Sequence, residues 1–178
     1  NYGLPKIEKK NNNYYSPQYE SNKKGAYHWN QAIHPEINAS SSFNTNKEDR
    51  ENYIKNGFGS VLTHFQDGIF RGTGTFVLLS DKSNQESMLE AKAATFYSFK
   101  KGVSTQKNPS SLMGSIALIR QSLLDAEWYE TQKEQTNLSY YSYNNTNNLP
   151  KIFSVTDVLD YQRVHKIADE FEIEFIIK

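Results

Sequence analysis

Cysteine is missing from the chain altogether. Disulfides, thiolate nucleophiles and cysteine-ligated zinc are excluded together, while the compartment stays open. Long apolar runs are also missing: none approaches the ~18 residues that a membrane-spanning helix needs. There is no excess of charge. Twenty Lys and Arg balance 20 Asp and Glu, for a formal net charge of zero, which argues against nucleic acid as a partner. No internal repeat of fixed period occurs. What remains is a chain of 178 residues, long enough for one domain with a real core.

Residues 1–45 are polar, aromatic and irregular. The stretch "EKKNNNYYSPQYESNKKG" has neither helical nor strand period and reads as a surface loop. "YHWNQAIHPEI" is denser and carries His28, Trp29, His34 and Glu36. Two histidines six apart fit no common zinc spacing, and Pro35 breaks any helix there. The reading is that Trp29 and Ile33 anchor this loop onto the body.

From residue 46 the pattern becomes that of an α/β domain, giving a division into a loop-rich part, 1–45, and a body, 46–178. "NTNKEDRENYIKNGFG" predicts a helix, capped at Thr45 or Asn46, acidic in its first turn and stopped by Gly57. Ser60–Phe65 follows as a short buried strand. A second apolar run covers Thr75–Ser80, and a third strand-like piece lies around Thr95–Phe99; these two read as a hairpin-like excursion. "NPSSLMGSIALIRQSLLDAEWYETQKEQ" is the strongest helix, with Leu112, Ile116, Ile119, Leu123 and Ala126 at helical spacing. "NLSYYSYNNTNN" reads as a polar loop. "LPKIFSVTDVLDYQRVHKIADEFEIEFIIK" is a βαβ unit: strand Lys151–Val155, a helix capped by Thr156, and strand Glu174–Lys178. A single crossover helix makes these two strands parallel, and Ser60–Phe65 is expected to share their sheet.

Function concentrates in "GFGSVLTHFQDGIFRGTGTFVLLSD". His64 stands at a strand end, with Asp67 and Arg71 on the loop that follows. Carboxyl ends of strands are where α/β folds build their sites. These three can bind an anionic or polar substrate, with His64 as acid or base. The alternative is that Asp67 and Arg71 pair with each other or cap the loop. The "GTG" at 72–74 is too short for a dinucleotide fingerprint and instead permits a tight, close-packed turn.

Four segments carry a family resemblance: "YHWNQAIHPEINA", "GFGSVLTHFQDGIFRGTGTFVLL", "FYSFKKGVSTQKNPSSLMGSIALIRQSLLDAEWY" and "LPKIFSVTDVLDYQRVHKIADEFEIEFII". In this order they resemble amidohydrolase-related proteins of Bacteroidetes, large exported relatives of imidazolonepropionase and dihydroorotase. The resemblance runs from about Gly25 onward. It implies part of a (β/α)8 TIM-barrel metal-dependent hydrolase of C–N bonds, in an exported, periplasmic or cell-envelope protein. It also implies a divalent metal, yet the family's His-x-His pair occurs nowhere here, and Ser154 and Val155 stand where a further ligand is expected.

Two readings therefore stand. One is a segment of an amidohydrolase whose metal lies outside this chain. The other is a degenerate, amidohydrolase-like binding or scaffolding module. Catalytic candidates are His64, Asp67 and Arg71; no metal ligand or cofactor is assigned within the segment. The chain opens on Asn1 and closes on a strand pattern, so the expected partners are the remainder of a longer polypeptide or a second copy, with a small-molecule substrate possible.

Overall fold

In the computed structural model, residues 2–8, 17–45, 47–132 and 136–178 are described. The elements follow in order as α1 (Ala39–Ser42), α2 (Lys47–Lys55), β1 (Ser60–Thr63), β2 (Phe70–Leu78), α3 (Asn84–Ser87), β3 (Met88–Ser98), α4 (Leu112–Glu130), α5 (Leu138–Asn145), β4 (Lys151–Ser154), α6 (Val158–Phe171) and β5 (Phe175–Ile177). The strands form one five-stranded sheet in the order β1-β2-β3-β4-β5.

The expected (β/α)8 barrel is not what forms. The sheet is mixed: β2 is antiparallel to both β1 and β3, while β3, β4 and β5 are parallel. The reason is loop length. Only residues 64–69 separate β1 from β2, and a parallel crossover needs a dozen or more. The α/β class does hold, and β1 runs in the same sense as β3, β4 and β5. The supposed excursion is the middle of the sheet, since β2 and β3 are its longest strands.

One face of the sheet is covered. Phe70, Tyr97 and Phe153 pack with Ile116, Ile119, Leu123 and Ala126 of α4, Tyr143 of α5, and Val164 and Ile167 of α6. A second cluster joins Tyr2, Leu4, Ala39 and Phe43 to Phe65, Val77 and Leu79. On the opposite face Leu78 and Ile176 are exposed and Leu62, Phe76 and Ile152 only half-buried. Alternation along the strands puts Phe96, Ser98, Ser154 and Lys178 on this second face.

Two helices differ from their sequence readings. Residues 138–145 form α5 rather than a loop, because Asn137 caps it at Ser139 and Tyr140 and the core takes in Tyr143. In α6, the cap is Asp157 rather than Thr156. Asn46, one proposed cap of α2, lies outside the described residues, while Gly57 does end that helix, at φ +86°.

The N-terminal segment is strapped to β2. Ile33 bridges Phe70, Asn38 bridges Thr73, and Thr73 N–H donates to the Ile37 carbonyl at 2.9 Å. Gly72 allows that approach: its φ is +76°, and a Cβ there would lie 1.9 Å from the Ile37 oxygen. Gly72→Ala is expected to cost about 3 kcal/mol by combining left-handed strain with a backbone clash. Gly59→Ala, which meets nothing within 4 Å, should change stability by less than about 0.5 kcal/mol. Urea unfolding of the two variants checks the contrast.

Candidate functional site

The same-sense strands deliver polar side chains to one end of the open face. Thr63 closes β1 and presents His64 next in the chain. Ser98 ends β3, paired with Ser154 at the end of β4, and Lys178 follows β5. Because β2 runs the other way, its first turn brings Arg71 to the same end. Tight packing orders this corner. His64 stacks on Phe96 with ring centroids 3.6 Å apart and planes 6° from parallel. Gly74 makes room for it, since a Cβ at that position would lie 2.5 Å from the Phe96 ring and 3.2 Å from the His64 Cβ.

Arg71 is buried and holds three strand ends together. Its Nε donates to the Gly68 carbonyl (3.1 Å), Nη2 to Ser98 Oγ (2.8 Å) and Nη1 to Ser154 Oγ (3.3 Å). All three acceptors are neutral. Asp67 acts on the guanidinium only through space. Its Oδ1 instead accepts the Val103 N–H at 2.7 Å, capping the loop after β3. Of the three residues singled out in the sequence, His64 and Arg71 therefore share the strand-end cluster, while Asp67 ties down a neighbouring loop and does not form the ion pair with Arg71.

His64 Nδ1–H donates to the Phe65 carbonyl (2.8 Å), which leaves its Nε2 lone pair to accept from Lys178 Nζ at 3.1 Å. Four strand spacings separate β1 from β5, about 19 Å in a flat sheet, so this contact requires a strongly curled one. Burial depresses the His64 pKa to about 4, and the Lys178 and Arg71 charges push in the same direction. The imidazole is neutral at physiological pH. Lys178, Ser98 and the Arg71–Ser154 bond were missed in the sequence. The signal for them was their common position at strand ends, legible only once the strand directions are known.

Two of the other histidines are buried in the N-terminal segment. His28 Nδ1 accepts from Asn30 N–H (2.9 Å) and its Nε2 meets Ser122 Oγ (3.3 Å); burial lowers its pKa to about 4. His34 is buried with neither ring nitrogen hydrogen-bonded, its Nε2 3.7 Å from Asp67 Oδ2, and burial lowers its pKa too. Trp29, expected to anchor this loop, is 54% exposed, whereas Ile33 is buried as anticipated. His165 lies exposed on α6 beside Asp169.

The donor set at the strand ends does not suit the divalent metal that the sequence resemblance brings with it. Two cationic side chains, two hydroxyls and one imidazole already facing an ammonium would repel such an ion. Among the described residues, no group of three His, Asp or Glu side chains lies close enough to hold one. Nor is any helix, among those residues, long and apolar enough to cross a membrane.

The fold is thus of the α/β class, with a mixed five-stranded sheet and a polar cluster at one end of its open face. The particular likeness is to the crystal structure of an amidohydrolase from Thermotoga maritima MSB8, with TM-score 0.68 and 18% sequence identity, over 90% of this chain and 49% of that one. The chain thus spans about half the length of that protein, and the likeness is one of fold. No family model and no curated protein sequence matches the chain.

Stability should fall as the solution is acidified from pH 6.5 toward pH 4. His28 and His64 titrate near 6.5 when unfolded and near 4 when folded, so over this window the unfolded chain binds more protons. Their stabilisation is complete above pH 6.5. Each histidine accounts for a loss of up to about 3 kcal/mol by pH 4. Urea unfolding at a series of pH values measures the slope, and His64→Gln should flatten it by about one proton.

Proposed function

We propose that this chain is an amidohydrolase-like domain whose strand-end cluster binds the anionic group of a small molecule. The observation that carries this reading is a buried guanidinium whose bonds all go to neutral oxygens, with an ammonium on the neighbouring strand end. Burial of the guanidinium is offset only through space by Asp67, and a carboxylate or phosphate entering between Arg71 and Lys178 would relieve the remaining cost. Arg offers a planar fork for two oxygens, and Lys178 adds a mobile point charge. The fold likeness supports the position, since open α/β sheets take ligands at the carboxyl ends of their strands.

The same likeness favours a second reading, hydrolysis of a C–N bond. Here the neutral imidazole of His64 would accept a proton at Nε2, while Lys178 and Arg71 would stabilise charge developing on the carbonyl oxygen. Asp67 would keep the adjoining loop in place. Any metal would have to be held by residues beyond those described.

Calorimetric titration with acetate, malate and inorganic phosphate separates the readings. Binding of one of these anions, weakened at least about tenfold by Arg71→Gln and by Lys178→Met, is expected. No binding at millimolar concentrations, or binding that both variants leave unchanged, would remove the first reading. Turnover of a simple cyclic amide that is lost in His64→Gln would establish the second.

A further inference from the structure

Helix α4 is apolar on two faces. Ile116, Ile119, Leu123 and Ala126 face the core, as an amphipathic helix requires. On the solvent side a second stripe runs through Met113, Ala117, Gln121, Leu124 and Trp128 without a single charge, and Met113, Leu124 and Trp128 are 74%, 51% and 52% exposed. From Met113 to Trp128 the stripe is about 22 Å long. Arg120 is drawn off it by its ion pair with Glu170, at 2.6 Å.

We infer that this face receives the same face of a second copy, with the two α4 helices antiparallel. Four of its five positions, 113, 117, 124 and 128, are symmetric about the midpoint between Arg120 and Gln121, where Gln121 of one copy stands level with Arg120 of the other. A two-fold axis there sets Met113 opposite the other copy's Trp128, and Ala117 opposite its Leu124. Large thus meets small at one level, and thioether meets indole at the other.

Electrostatics agree with this pairing. The first turn of α4 carries no acidic residue and the last no basic one, so the helix itself supplies no charge that compensates its dipole. The same axis brings Glu127 level with Gly114 of the other copy, next to the amino end of its helix. There is also a receptacle. A cleft of about 350 Å3 at the amino end of α4 is lined by Trp29, Asn30, Pro109, Gly114, Ala117 and Leu118. Gly114 and Ala117 leave its floor shallow, and the other copy's Trp128 arrives at that level. Single-helix contact buries less than the roughly 800 Å2 per partner of a standard interface, so association is in the micromolar range or weaker.

Sedimentation across the micromolar range tests the inference, with tryptophan emission recorded at each concentration. The chain has two tryptophans, Trp29 and Trp128, both on this surface. A monomer–dimer equilibrium with a blue shift on association is expected. Leu124→Glu should weaken it by more than about 30-fold. Ala117→Glu should do the same, and circular dichroism and urea unfolding verify that both variants fold. Since the chain holds no cysteine, a short bis-maleimide should cross-link the Gln121→Cys chain into dimers and leave Lys82→Cys, on a remote turn, monomeric. A monomer at every concentration with unmoved emission would overturn the inference. So would a dimer indifferent to Leu124→Glu, or equal cross-linking of the two cysteine variants.

Discussion

The Arg71 guanidinium ties the start of β2 to the ends of β3 and β4. Ser98 Oγ, which accepts from it, also accepts the Lys100 N–H at 3.0 Å and donates to the Gly68 carbonyl at 3.1 Å. One side chain thereby joins the β1–β2 loop, the turn after β3 and the end of β4. Neutral acceptors satisfy its hydrogen bonds, while its charge is met only through space by Asp67, and a low-dielectric setting makes the difference matter. The mechanical anchor of the sheet end is thus also its electrostatically incomplete point.

Curvature turns this anchor into a cluster. The first and last strands lie four spacings apart, yet Lys178 reaches His64. Residues of α4, α5 and α6 pack in one core cluster with Phe70, Tyr97 and Phe153 of the sheet. Gly74 permits the wrap by letting His64 and Phe96 stack where any Cβ would collide. Strand end, glycine and aromatic ring together keep the imidazole dry and neutral.

Histidine plays two parts in one chemical state. His28 and His34 are buried in the irregular N-terminal segment, His28 bonded to Ser122 of α4 and His34 beside Asp67 of the β1–β2 loop. His64 is equally neutral but stands beside two cations. Burial sets the protonation of each; what distinguishes them is the company they keep.

Local patterns in the chain by itself determined much of this protein. The apolar spacing of Leu112 to Ala126 specifies α4, and the run from Lys151 to Lys178 specifies a parallel βαβ unit, because these periodicities report burial directly. The loop position of Asp67 and the strand-end position of His64 were equally legible. The hairpin between β1 and β2 was legible in principle, since residues 64–69 are too few for a crossover, but a resemblance to a barrel family pointed the other way. Tertiary structure alone decided the rest. Tyrosine and asparagine at 138–145 carry no helical signature until Tyr143 finds the core. Trp29, the bulkiest residue of its loop, stays outside while His28 goes in, because its hydrogen bonds to Asn30 and Ser122 are available only in the folded chain. The association of Lys178 with His64, 114 residues away, depends on strand direction and sheet curl, which no local pattern encodes.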